Sequence, residues 1–212
     1  MKEEYKNIIF DWSGVINDNW ETTLLTANKL FKHFNVPEIT SEEFRREWIQ
    51  PFMLFYNKYL PDLSLKEEQR LYKKYYNEII KEHHPYSYSG IVEVLKECKR
   101  LNKNMFVVSS DPLVNITSEI VSFDLENIFT EIEFGAHNKL NGVKRIIDKY
   151  GLAPKETIFV GDTDNEADVS NELSLISISV TWGLQDEEKI KKANPNYIAR
   201  NINEFKEILG IK

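Results

Sequence analysis

The 212 residues contain one cysteine, Cys98. A lone thiol can close no disulfide within the chain and can build no thiolate metal cluster. Such usage fits a reducing compartment. No run approaches the roughly eighteen apolar residues of a membrane-crossing helix. The opening stretch, MKEEYKNIIF, lacks the charged-then-apolar-then-small order of a secretory leader. Basic residues are in deficit: 27 Lys and Arg against 34 Asp and Glu leave a formal charge of −7. That argues against general nucleic-acid binding, which needs a basic footprint. The eight glycines and seven prolines are scattered, with no internal repeat and no low-complexity tract. These absences lead us to expect a soluble cytoplasmic protein with neither nucleic acid nor membrane as partner. They leave the oligomeric state open.

What is present is an ordinary globular composition, 42% hydrophobic and 29% charged. The length suits one large domain, or one domain with a sizeable insertion, and allows a core without staples. Ile8-Ile9-Phe10 reads as a short buried strand ending at Asp11, followed by a turn at Ser13-Gly14. From about Trp20 to His84 the pattern predicts three helical segments and no strand. The first spans about Trp20 to Phe34. The second opens at Thr40-Ser41, where Thr40 and Glu43 make a capping box, and is bent or ended by Pro51. The third runs from Ser64 to about His83. Trp48, Phe52, Phe55, Tyr56 and Tyr59 are expected to form the core of this block, with an exposed subset lining a cleft.

From Gly90 onward, helices and strands alternate. Strands are expected at Met105–Val108, near Ile128–Phe134, at Thr157–Val160, at Leu175–Val180 and at Tyr197–Ala199. Helices are expected at Ile91–Leu101, at about Leu140–Tyr150 and from Asn203. Alternation of this kind predicts a parallel sheet covered on both faces, whose ligands sit at the carboxyl ends of the strands. The fold class is α/β: a Rossmann-like parallel-sheet core, residues 1–17 and 86–212, with an inserted all-helical cap at 18–85. Asp11, Ser109 and Asp162 each follow an apolar strand, so they should converge at one edge beneath the cap. Two acids there can hold a hard divalent cation through oxygen. A hydroxyl and an ammonium can hold phosphate oxygens, and an aspartate beside both can attack phosphorus. The set reads as metal-assisted phosphoryl transfer.

These residues resemble the haloacid dehalogenase-like superfamily, whose phosphatases work through a phosphoaspartate. The resemblance has four parts, in order. Phe10-Asp11-Trp12-Ser13-Gly14-Val15 is similar to the family's Asp-x-Asp-x-Thr/Val. Val107-Val108-Ser109-Ser110 is similar to its apolar-then-Ser/Thr motif. Lys139 stands 23 residues before Asp162, a usual spacing for the family lysine, with Lys144 a competitor about one turn later. Val160-Gly161-Asp162-Thr163-Asp164-Asn165-Glu166 is similar to its Gly-Asp with a second acid some four residues on. Val180-Thr181-Trp182-Gly183-Leu184 also looks like the family's segment after a later strand.

The resemblance implies roles. Asp11 would be nucleophile and magnesium ligand, and the Ser13 carbonyl a second ligand. Ser109, Ser110 and Lys139 would hold the phosphoryl group. Asp162 would bind Mg2+ directly and Glu166 would support it, with Asp164 and Asp168 competing for that role. Trp12 would shape the turn or face the cap and substrate. The substrate would be a small phosphorylated metabolite, selected by a cap that closes over it.

Ser13 departs from the pattern, because most phosphatases of the family carry a second aspartate there. That group protonates the leaving oxygen, help typically worth ~10²–10⁴ in rate. A serine hydroxyl cannot supply it at neutral pH. Family members without this acid have leaving groups that need no such help. Phosphonoacetaldehyde hydrolases, with a similar Asp-Trp-Ala-Gly-Thr, cleave a C–P bond through a cap lysine, and Lys58 lies near the required sequence distance. The alternatives are therefore a C–P hydrolase or a catalytically weak protein that binds a phospho-ligand or partner. An acid or histidine from the cap, poised near Ser13, would favour an enzyme. His137 reads as a surface histidine, and Lys66-Glu67-Glu68 as solvated or N-terminal helix charge. Cys98 reads as buried packing.

Overall fold

Ile8, Ile9 and Phe10 are fully buried in β1 (Asn7–Phe10), the first strand of the structure. The structure, a computed structural model, describes residues 5–211. After β1 a short strand, β2 (Asn17–Asp18), leads into four helices: α1 (Trp20–His33), α2 (Ser41–Glu47), α3 (Met53–Tyr59) and α4 (Leu65–Ile79). The chain returns through β3 (Tyr86–Ser87). It then alternates through α5 (Ile91–Arg100), β4 (Asn104–Val108), α6 (Leu113–Ser122), β5 (Glu131–Glu133), α7 (Lys139–Tyr150) and β6 (Thr157–Gly161). It closes with α8 (Asp164–Leu173), β7 (Ile176–Val180), α9 (Glu187–Lys192), β8 (Tyr197–Ala199) and α10 (Ile202–Leu209).

Six strands form one parallel sheet in the order β5-β4-β1-β6-β7-β8. The first strand is therefore central. Its register sets Phe10 opposite Val107 of β4 and Val160 of β6. The residues just beyond these three strands consequently emerge side by side. Successive residues of β1 face opposite ways. Ile8 and Phe10 pack with Val94, Leu95, Ile116 and Phe205 from α5, α6 and α10. Ile9 packs with Val143, Ile146 and Val169 from α7 and α8. Both faces are covered, as a parallel sheet requires. Cys98 is buried on α5.

The four inserted helices have a core of their own. Leu30 and Phe31 of α1 meet Phe44, Phe55, Tyr56, Leu71 and Tyr75. Thr40 caps α2 through the expected box: its hydroxyl accepts from the Glu43 amide at 3.2 Å, and the Glu43 carboxylate accepts from the Thr40 amide at 2.8 Å. Where the chain leaves and re-enters the sheet domain, Asn17 pairs with Ser87 and Asp18 with Tyr86 in an antiparallel ladder. Two residues a side carry no readable alternation.

The structure differs from expectation in detail. The helix opening at Thr40 is two helices, because Trp48 ends α2 and the chain turns through Pro51 before α3. The third helix stops at Ile79, short of His83. The strand near Ile128–Phe134 shrinks to Glu131–Glu133. Ile128 is buried in the preceding turn, so its apolarity signals packing and not a strand. The helix α9 carries one buried apolar residue, Ile190, and so offers no helical period to read. Among the described residues, no helix is long and apolar enough to cross a membrane.

Candidate active site

Asp11 leaves β1 as the ladder ends, its amide still donating to the Val160 carbonyl at 2.9 Å. Its Oδ1 accepts from the Trp12 amide at 2.7 Å and lies 2.5 Å from the Lys139 Nζ. Lys139 is the first residue of α7, buried, and donates also to the Val108 carbonyl at 2.9 Å. Burial alone would push the Lys139 ammonium down. The charges of Asp11 and Glu166 outweigh burial and hold it above the usual lysine range. Lys144, the competing lysine, is exposed.

Asp162 follows β6 and is fully buried. Its Oδ2 accepts from the Leu184 amide at 2.6 Å, while Oδ1 accepts from no group among the described residues. Two glycines make room for this carboxylate. A Cβ on Gly14 would stand 2.1 Å from Asp162 Oδ2, and one on Gly183 2.3 Å from it. Gly14 also holds a positive φ of 79°, in the left-handed region. Glu166 is tied by one oxygen only. Its Oε2 closes the capping box of α8, accepting from Thr163 N at 3.1 Å and Thr163 Oγ1 at 2.5 Å. Its Oε1 accepts from no donor among the described residues and lies 3.8 Å from Lys139 Nζ.

Asp11, Asp162 and Glu166 thus bring three buried carboxylates together, with oxygens all within 4.8 Å of one another. Burial pushes the Asp162 carboxyl well up, and the neighbouring charges of Glu166 and Asp11 push it further. Burial raises Glu166 too, against the pull of Lys139. One ammonium cannot balance three carboxylates in a dry site. Two buried oxygens without donors, in an all-oxygen set, fit a hard divalent cation.

Ser109 and Ser13 meet at a residue that the strand-end pattern did not single out. Asp111 Oδ2 accepts from Ser13 Oγ at 2.5 Å and from Ser109 Oγ at 3.2 Å. Asn19 Nδ2 donates in turn to Ser13 Oγ at 2.8 Å. Burial raises the Asp111 carboxyl, its bond from Ser13 opposes that, and the Asp11 charge raises it again. The signal was in Ser109-Ser110-Asp111-Pro112, but nothing in a sequence says that this loop reaches Ser13. An acid does stand beside Ser13, from the loop after β4 and not from the inserted helices.

Asp11, Ser13, Ser110 and Asp111 line one end of a cavity of about 420 Å³ between the sheet edge and the helical block. Trp48, Phe52 and Tyr56 of the aromatic block line it from the other side, although Trp48 and Tyr56 are buried and not the exposed subset expected. His137 is exposed at its edge, its ring against Phe52. Three expectations are corrected. Trp12 does not face substrate: it is fully buried, stacked on Phe123, and its Nε1 donates to Glu119 Oε2 at 2.5 Å. Lys58 is exposed, pairs with Glu47 and is absent from the cavity wall, so it cannot serve as the lysine of a C–P hydrolase. Glu68 is not solvated helix charge but fully buried in the cavity wall.

The sequence pattern described as haloacid dehalogenase-like hydrolase matches residues 8–180. The chain belongs to that family. It is a hydrolase, and its curated relatives in the family are phosphatases. The phosphoglycolate phosphatase of Haemophilus influenzae is 22% identical over the whole of both chains. Pyrophosphatase PpaX of Oceanobacillus iheyensis is 22% identical over 97% of each chain. Among solved structures, a haloacid dehalogenase-like hydrolase from Streptococcus pneumoniae superposes with a TM-score of 0.81 at 20% identity, covering 97% of each chain. A hydrolase from Pseudomonas syringae superposes with a TM-score of 0.79 at 14% identity, covering 97% of this chain and 98% of its own. At such identities these two likenesses speak for the fold alone.

Proposed function

We propose that the chain is a magnesium-dependent phosphatase of a small phosphorylated metabolite, acting through a phosphoaspartate at Asp11, with residues 18–85 as its cap. The observation that carries this is the buried cluster of Asp11, Asp162 and Glu166 beside Lys139. Asp11, Asp162, Glu166 and the Ser13 carbonyl would hold the ion. Bound there, magnesium would neutralise charge on the phosphoryl oxygens and on the carboxylates around it.

The chain's own residues supply the rest. Asp11 lines the cavity, and both its hydrogen-bonding contacts fall on Oδ1, which leaves Oδ2 for attack on phosphorus. A P–O bond forms to Asp11 as the bond to the leaving oxygen breaks. Lys139 fixes the carboxylate and, with the Ser109 hydroxyl and Ser110, takes up charge on the phosphoryl group. The leaving oxygen needs a proton, and water must later lose one to hydrolyse the acyl phosphate. Ser13 cannot do either alone. Asp111, hydrogen-bonded to Ser13, is placed to take that part, with Asn19 orienting the serine. This favours an enzyme over a weakly active binding protein.

The relatives named for phosphoglycolate and pyrophosphate support a small phosphorylated substrate. The test is phosphate release with magnesium from acetyl phosphate, p-nitrophenyl phosphate and a sugar phosphate. Release should vanish in Asp11→Asn and with EDTA. Activity that survives Asp11→Asn would exclude the phosphoaspartate.

A further inference from the structure

Glu68 lies in the first turn of α4, on the face that also buries Leu71, Tyr75 and Ile79. An inward position of an amphipathic helix ordinarily takes an apolar residue. Here it holds a carboxylate that is fully buried and faces the cavity. Neither Oε1 nor Oε2 accepts a hydrogen bond from any described residue. No described Lys, Arg or His pairs with it either, and the lysine and histidine that line the cavity, Lys73 and His137, are exposed. Near Glu68 the Tyr56 hydroxyl is also buried and has no hydrogen-bond partner among the described residues. The rings of Tyr72 and Tyr76 stack at 5.8 Å, and Phe52 stacks on Tyr72 at 6.5 Å, so the wall beside the carboxylate is aromatic.

A desolvated carboxylate, a tyrosine hydroxyl oxygen and tyrosine faces are all acceptors of positive charge or of hydrogen-bond donors. A polar group buried without a partner is what a site built for a ligand donor leaves behind. Resting on the phosphatase reading, we propose that the phosphate sits at the Asp11 end and that Glu68 selects the other end of the substrate. That end is a non-anionic tail that donates hydrogen bonds, an ammonium being the strongest match and a hydroxyl the weaker one. A carboxylate tail, as in phosphoglycolate, would meet Glu68 as a like charge and is disfavoured.

The test measures binding, so that it does not depend on turnover. In magnesium-loaded Asp11→Asn protein at pH 8, dissociation constants are taken by calorimetry for O-phosphoethanolamine, glycerol 3-phosphate and 2-phosphoglycolate. The same three are then measured with Glu68→Gln added, a change that removes a buried charge and keeps the shape. The expected result is phosphoethanolamine binding at least about tenfold tighter than phosphoglycolate, with Glu68→Gln bringing the two within about threefold. The position of glycerol 3-phosphate tells an ammonium from a hydroxyl tail. Equal or tighter binding of phosphoglycolate, no binding of any of the three, or a preference that survives Glu68→Gln would overturn the assignment. Acetyl phosphate hydrolysis by the unsubstituted protein separates the two ideas. Its absence with the tail preference intact refutes the phosphatase alone, and its presence without the preference refutes the role of Glu68 alone.

Discussion

Glu68→Gln also carries a stability prediction that needs no ligand. Burial raises the Glu68 carboxyl from its ordinary 4.5 to about 7. The folded state therefore holds this proton over a pH range where the unfolded chain has released it. For a carboxyl raised on folding, the cost is absent below pH 4.5. It grows as pH rises from 4.5 to about 7 and is complete above that. At 1.36 kcal/mol per pH unit the full cost is about 3 kcal/mol. The cavity opens to solvent, and screening there reduces it to about 1–3 kcal/mol. Glutamine cannot ionise, so the variant escapes this cost. The two proteins should differ least in stability at pH 4, where the carboxyl is protonated in both states. By pH 8 the variant should be the more stable, melting higher by roughly 2–4 °C per kcal/mol for a chain of this length. Unfolding of both proteins by urea and by heat at the two pH values measures this. All other titrating groups are shared, so their contributions cancel in the difference. A difference between variant and parent that does not change with pH would refute a desolvated carboxylate at this position.

Three further outcomes follow from the site. Asp111→Asn should lower turnover of a sugar phosphate by ~10²–10⁴ and that of acetyl phosphate far less, because only the poorer leaving group needs a proton. Equal losses on both, in steady-state phosphate release, would remove Asp111 from proton transfer. Magnesium should raise the melting temperature of the protein in proportion to the logarithm of its concentration once sites fill, and Asp162→Asn should abolish the rise. Gly183→Ala should weaken magnesium binding by calorimetry although no proposed ligand is substituted, because its Cβ would press on the Asp162 carboxylate. Unchanged affinity would mean that the backbone there yields easily.

Asp11, Ser109, Lys139, Asp162 and Glu166 were legible because each sits at a strand end or in the first turn of a helix. Short-range rules act there: an apolar run stops, a turn residue follows, a cap begins. The parallel register then places such ends together without further information. Asp111 was hidden by the same logic, since it stands three residues past the end of β4 and its distance to Ser13 depends on how two loops fold toward each other. Trp12 misled for a related reason. An aromatic beside a nucleophile can turn either way, and the partner that turned it inward, Glu119, is 107 residues distant.

The sequence by itself determined the α/β order, the helical insertion and which polar residues stand at the sheet edge. These rest on periodicity and on residue types at fixed spacings, which are local properties of a chain. Only the tertiary structure decided which acid meets Ser13 and that Lys139, not Lys144, reaches Asp11. Only it showed that Glu68, one of several charges at the start of a helix, is buried without a partner. Burial and pairing depend on which surfaces meet across the fold. A charge in the first turn of a helix reads the same in sequence whether that turn faces water or a cavity.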